Sequence, residues 1–354
     1  MGAIQLWMVV FIHVCAAVVP DAICAVLKRG ATLKLGGVEP PTPFKNECMG
    51  VKGLYTYLRA YRHDLYMNSD DLLPPEQRLR IGVDAMSILY KYKSNYNELY
   101  PLLLCLKAQG HRLLFVFDGK PPAEKEEEIK ERREARGAAQ GQAAALKEAL
   151  KAPTAAGLDA RERQILEFSV ARLEFQGWHM TREIRHEVQR ELFKMGIAYV
   201  KGAGEADAVL TDLAGAGKLD VVVSTDMDFL LSGVSRLWIP FRKAGDGFEE
   251  IVLAEVLEGE GVTAAGLTDA GILCGVEPLR GQVNQNPVTA FSWMRYYKSL
   301  EGVLASGIVE PQLDALRVEG RLAAVRAHFA PQTPWEARIR PDHFEGARSF
   351  LEAL

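Results

Sequence analysis

The chain has 354 residues, 48% hydrophobic and 25% charged, which suits one large domain or two smaller ones and excludes a disordered tail or a coiled coil. A net charge of -4 gives no global basic footprint of a nucleic-acid binder, but as an average it allows a local basic stripe beside a carboxylate-rich site. Five cysteines without C-x-x-C spacing argue against a structural zinc site and a disulfide framework, and fit a reducing compartment.

Residues 3 to 20, "AIQLWMVVFIHVCAAVVP", are nearly all apolar, long enough for a signal peptide or a marginal membrane anchor. No Lys or Arg precedes the run, the first being Lys28, whereas signal peptides begin with a positive region. Residues 1–48 are therefore expected to be a hydrophobic extension, joined through "LGGVEPPTP" to a domain starting at Met49. The extension leaves targeting open; the core is expected inside the cell, in nucleus or cytoplasm.

From Met49 onward, strand-like and helix-like segments alternate, which predicts an α/β fold with a central, mostly parallel sheet flanked by helices. "LRIGVD" closes on Asp84 and "HRLLFVFD" on Asp118. Tyr90 falls six residues past Asp84, on the helix that should follow. "GKPPAEKEEEIKERREARGAAQGQAAALKEALKA" has high helix propensity, and Lys125 and Arg132, seven apart, are expected on one helical face. Read alone, it is a solvated helix with i,i+4 charge pairs.

Further on, "GIAYV" leads into "GAGEADA", which carries Glu205 and Asp207. The β-branched run Val221, Val222 and Val223 reads as a strand buried on both faces, followed by Asp226 and Asp228. Ligands of open parallel sheets gather outside the carboxyl ends of the strands, so these acids are expected in one crevice. Six carboxylates there cannot all ionise unless cations compensate them. Hard divalent ions suit such an oxygen set, and a pair of them roughly 4 Å apart stabilises the attacking and leaving oxygens in phosphodiester cleavage. Any single acid reads as well as a turn or helix cap; recurrence at three strand ends favours the metal reading.

In order and at compatible spacing, "MGVKGLYTYL" at 49–58, "IGVDAMSILY", "FVFDGKPP", "GAGEADA" and "STDMDFL" resemble the motifs of the flap endonuclease and XPG family of structure-specific 5' nucleases, over about residues 49–305. The resemblance implies a PIN-like 5' nuclease fold with a helical arch at about 119–180, a helix-hairpin-helix at about 267–300 and a C-terminal helical segment at 306–354. It implies two Mg²⁺, replaceable by Mn²⁺, held by Asp84, Asp118, Glu205, Asp207, Asp226, Asp228 and the less regular Glu277. By the same resemblance Lys125 and Arg132 hold the scissile phosphate, Gly50 lies close to the active site, and Tyr90 stacks on a base. Tyr90 reads equally well as a core tyrosine with a satisfied hydroxyl. A functional start at Met49 is a further implication.

Two departures from the family pattern stand out. Where the family has Gly-x-Asp, this chain has Gly275, Val276 and Glu277, which keeps the charge and adds a methylene. Where the family's hairpin reads Gly-x-Gly-Pro-Lys-Arg, this chain has "RGQVNQNPVTAFSWMRYYKSLEGVL", with asparagines for glycines and Val288 and Thr289 for the basic pair. Asparagine tolerates left-handed geometry, so the turn is expected to persist, with Arg280, Arg295 and Lys298 as phosphate contacts. The final "RPDHFEGARSFLEAL" reads as an amphipathic helix without a sliding-clamp motif.

"GEGVTA" at 259–264 follows a helix-like run, so it is no dinucleotide fingerprint, and His179 and His186 read as surface residues. The expectation is a monomeric, Mg²⁺-dependent endonuclease for branched or 5'-flap DNA in replication or repair, with no membrane partner for the core. An RNA-directed nuclease of the same fold is one alternative. A nucleic-acid-binding scaffold without catalysis is another, and the six acids with Lys125 and Arg132 stand against it.

Overall fold

Apolar residues alternate between two faces along the strands, and each face meets its own layer of helices. Seven strands form one sheet: β1 (Arg62–Leu65), β2 (Arg80–Asp84), β3 (Arg112–Phe117), β4 (Ala198–Lys201), β5 (Val221–Val223), β6 (Arg236–Pro240) and β7 (Phe248–Val252). Their order is β1-β7-β6-β5-β2-β3-β4. β6, β5, β2, β3 and β4 run parallel, β7 is antiparallel to β6, and β1 is antiparallel to β7. The fold is thus a mixed, mostly parallel sheet flanked by helices.

The computed structural model describes residues 50–65, 78–92, 98–121, 125–152, 155, 157–241, 247–279, 281–308, 310–330, 334–339 and 350. The extension at 1–48, Arg280, and the final amphipathic segment apart from Phe350 lie outside the described residues. Two compact units result: one holds residues 48–125 and 180–354, and the described part of the other is 126–179.

Within the sheet unit, Leu114, Val116 and Val222 face one core layer with Leu210, Leu213, Leu273 and Phe291. Ile81, Val83, Phe115, Phe117, Val221 and Val223 face the other, with Ile88, Leu102 and Leu192. Burial on both sides explains the unbroken valine run, because a central parallel strand has no solvent face to carry polar residues. Each such side chain contributes about 1.5–3 kcal/mol by leaving water. Gly82 is small for a packing reason: a Cβ there would stand 2.5 Å from Leu219 and 2.6 Å from Leu210.

Helices Ala264–Cys274 and Pro287–Tyr297 bury Leu267, Ala270, Leu273, Ala290, Phe291 and Met294 in the same core and bracket the divergent hairpin. Neither Asn284 nor Asn286 uses the left-handed geometry that asparagine tolerates. Asn286 is extended (φ -64°, ψ 134°), and its side chain accepts from the Val288 N–H at 2.9 Å, capping the second helix. Pro287 follows in the first turn, where a missing N–H is harmless. Among the described residues of this region the left-handed backbone falls instead on Gly275 (φ 106°) before the hairpin, Gly281 (φ 74°) within it and Lys298 (φ 69°) after it.

The other unit is a helical hairpin, Glu126–Lys151 and Ala160–Gly177. Asp159 and Glu162 form a capping box that starts the second helix. Its small apolar seam joins Ala139, Ala143 and Leu173, and Gln140 Nε2 donates to the Gly177 carbonyl at 2.8 Å. The rest of the first helix is largely exposed and carries charge pairs such as Lys151–Glu148.

Candidate metal and phosphate site

Four neighbouring parallel strands deliver acids to one edge of the sheet. β2 ends on Asp84, whose Oδ1 accepts from the Ser87 N–H at 3.0 Å and whose Oδ2 accepts from Ser224 Oγ at 2.9 Å. Burial, and next the charge of Asp118, push the Asp84 carboxyl up to about 7. Asp118 follows β3, and its Oδ1 accepts from the Ala206 N–H at 2.9 Å, the first residue of helix Ala206–Gly215.

β4 leads through residues 202–204 to Glu205, with Asp207 in the first turn of that helix, where the helix dipole favours an acid. The loop is pinned on both sides. Gly119 N–H donates to the Gly204 carbonyl at 2.7 Å, and Ala203 N–H to the Arg338 carbonyl at 2.7 Å, while Arg338 pairs with Asp212. Burial raises the Asp207 carboxyl well above the aspartate range, and Asp84, Asp226, Asp118 and Glu205 add to it.

β5 is followed by fully buried Ser224, which donates to Asp84 and accepts from the Asp226 N–H at 3.1 Å. Asp226 Oδ1 in turn accepts from the Asp228 N–H at 2.9 Å, so one local turn fixes the pair. Burial lifts Asp226 to about 6. Burial followed by the charges of Asp226 and Glu277 holds Asp228 well above its usual value. The Oδ1 of Asp228 is buried without a hydrogen-bond partner among the described residues.

Gly50 approaches this pair with left-handed backbone (φ 90°). A Cβ there would collide with Asp226 Oδ1 and stand 2.9 Å from Asp228 Oδ1. The Lys52 N–H donates to the Gly275 carbonyl at 3.3 Å, which ties the Gly50 segment to the turn carrying Glu277. Lys125 Nζ lies 2.7 Å from Glu205 Oε1 and 2.6 Å from Glu277 Oε2. Burial opposes its charge, but the hydrogen bonds to both glutamates outweigh that and hold its pKa above the ordinary lysine value.

All seven sequence-selected acids, Gly50 and Lys125 thus belong to one neighbourhood. The helical-face pairing of Lys125 with Arg132 does not hold: Lys125 precedes the helix that begins at Glu126, and its ammonium is drawn to the acids. Arg132 is exposed in the hairpin unit. Tyr90 is half-buried, its hydroxyl accepting from the Met180 N–H at 3.4 Å. Arg295 pairs with Glu260 at 2.7 Å, whereas Lys298 is exposed. His179 and His186 are exposed, and residues 259–264 span a helix end, left-handed Gly261 and the Thr263 cap.

Ser224 escaped the sequence reading, although a hydroxyl two residues before an aspartate at a strand end is a usable signal. His328 escaped it too. It lies in the field of Lys125, Glu277 and Glu205, and partial desolvation followed by the Lys125 charge holds its ring below the ordinary histidine value.

Among the described residues, no three acidic, histidine or cysteine side chains form a ready-made metal cage. The chemistry of the set nonetheless fits hard cations. Its donors are all carboxylate oxygens, four of them are raised by burial and mutual repulsion, one ammonium offsets them, and one buried oxygen has no partner.

Residues 196–277 match the XPG I-region family model, a stretch that runs from before Glu205 to Glu277. The chain is similar to flap endonuclease 1 of Eremothecium gossypii, at 30% identity over 72% of this chain and 68% of that protein. The Entamoeba histolytica protein of the same name is 32% identical over 72% of this chain and 69% of its own length. That of Glossina morsitans morsitans is 32% identical, and the chain spans 49% of its length. Its fold is shared with the catalytic core of Rad2 in complex with DNA substrate (TM-score 0.55, 16% identity, covering 86% of this chain and 95% of that one). Human GEN1 in complex with Holliday junction DNA also shares it (TM-score 0.51, 15% identity, covering 86% and 73%).

Proposed function

The chain belongs to the flap endonuclease and XPG family of nucleases, and on that premise we propose that it is a divalent-metal-dependent endonuclease cutting phosphodiester bonds of branched or 5'-flap DNA. The observation that carries this reading is the arrival of acids at four adjacent parallel strand ends, with one Asp228 oxygen buried and unpartnered among the described residues. So costly a cluster of like charges has no role in a core.

Asp84, Asp118, Glu205, Asp207, Asp226, Asp228 and Glu277 would hold the ions, and Mg²⁺ or Mn²⁺ suits such an oxygen set. Bound there, such ions supply an activated water and polarise the phosphate. The chain's own residues do the rest. Ser224 and the Ala206 N–H orient Asp84 and Asp118. Gly50 leaves room beside Asp226 that any side chain would fill. Lys125 places an ammonium among the acids, where it can take up a phosphate oxygen, and Arg132 is proposed as a further phosphate-binding residue, exposed on its own unit. Tyr90 would stack on a base beyond its buried edge.

An RNA substrate is kept as a second reading because Val288, at the start of the capped helix where the family carries its basic pair, is 59% exposed and apolar, which withdraws one argument for a grip on duplex DNA. A labelled 5'-flap DNA, its RNA counterpart and a blunt duplex separate the two. Cutting at the DNA flap junction supports the main reading. Preferred cutting of the RNA supports the second, and equal cutting of the blunt duplex contradicts both.

A further inference from the structure

The ammonium of Lys125 does not stand free beside the acids. It bridges two of them, at 2.7 Å from Glu205 and 2.6 Å from Glu277, and these carboxylates come from elements far apart in the chain. Glu205 precedes the helix after β4, whereas Glu277 opens a short turn after helix Ala264–Cys274. A contact with oxygens of both, inside a half-buried cluster, is the contact a small cation would make. Glutamate at 277 has the reach for it; an aspartate would be one methylene shorter.

We propose that Lys125 acts as an internal cation in the free protein, bridging Glu205 and Glu277 so that the ammonium and a divalent ion drawing on the same two carboxylates exclude one another. The inference rests on the metal-dependent reading above and adds to it a competition set by residue 277. Binding of one cation disfavours the other, and the disfavour is reciprocal. A phosphate oxygen that draws Lys125 away would release both carboxylates together, so loading of the last ion would wait for substrate.

Mn²⁺ titration of the full chain without nucleic acid, read by calorimetry and by the electron paramagnetic resonance of free Mn²⁺, tests this directly. The wild type is expected to bind one ion well and a second only weakly. Lys125→Met should tighten the second by about tenfold or more. Lys120→Met, which removes an exposed lysine from the loop after β3, should shift it by less than about threefold and so controls for net charge. Glu277→Asp, which keeps the acid and withdraws it from Lys125, should also tighten the second ion, and it tests the idea should Lys125→Met fold poorly. Equal shifts in Lys125→Met and Lys120→Met, or weaker binding in Glu277→Asp, would overturn the competition while leaving the metal-dependent reading intact. Absence of bound Mn²⁺ in every protein would overturn both.

Discussion

Ser224 Oγ lies 2.9 Å from Asp84 Oδ2, joining the ends of two neighbouring strands through a residue with no exposed surface. The same hydroxyl accepts from the Asp226 N–H, so one small side chain orients acids from both strands. Ser224→Ala is expected to leave the fold intact and to lower metal affinity or cleavage by about 10–100-fold, the usual effect of losing a group that orients ligands. Single-turnover kinetics beside a thermal melt would separate the two; unchanged kinetics would remove Ser224 from the site.

Gly50 is defined by what its missing side chain would strike. With φ at 90°, alanine there is strained, and its Cβ would displace Asp226. Gly50→Ala should reduce cleavage by at least about 100-fold, because small displacements of reacting groups carry penalties of that size. Alanine activity near wild type would mean that the Gly50 segment does not lie against the acids in solution.

The acids also predict how stability depends on pH in chelator. Asp84 and Asp226 ionise at about 7 and about 6 in the folded protein against 3.8 for an exposed aspartate, chiefly because of burial. The folded state therefore holds protons that the unfolded chain has released. The resulting stabilisation is complete below the unfolded value and is lost as pH rises through 6 and 7. In EDTA the melting temperature should fall between pH 5 and pH 8, and Mn²⁺ at pH 8 should restore it. A flat profile in EDTA would show that the carboxylates are not packed together.

Away from the site, Arg326 donates through two nitrogens to Asp269, at 2.8 and 2.7 Å, and also pairs with Glu301. Asp269 is 2% exposed and also accepts from the Leu300 N–H at 2.9 Å. Arg326→Met strands a buried charge and should destabilise the protein by about 3 kcal/mol in urea unfolding, with the double variant Arg326→Met, Asp269→Asn less affected. Equal losses in both would argue that Arg326 acts through packing.

The parallel centre of the sheet and its acids were legible because their signals are local: a valine run, an acid at its end, and the same pattern repeated at Asp84 and Asp118. β6 and β7 were not legible, since Glu249 and Glu250 sit in a strand only because distant residues satisfy them. Arg62 reaches Glu249 at 2.9 Å, while Arg236 and Trp238 Nε1 reach Glu250 at 2.7 and 2.8 Å. Asparagine's tolerance of left-handed backbone points to a turn, whereas the Asn286 side chain decides its place as a cap. The spacing of Lys125 and Arg132 misled for a related reason. Helical periodicity holds only within a helix, and two carboxylates far along the chain settle where Lys125 lies.

The most direct test takes the full chain and Asp226→Asn, Asp228→Asn with a labelled 5'-flap DNA, in Mg²⁺ and in EDTA. The account predicts cutting at the flap junction by the wild type in Mg²⁺ alone, and binding without cutting by the variant. Cutting by the variant or in EDTA would contradict it, as would a wild type that binds the flap yet cuts nothing in Mg²⁺ or Mn²⁺.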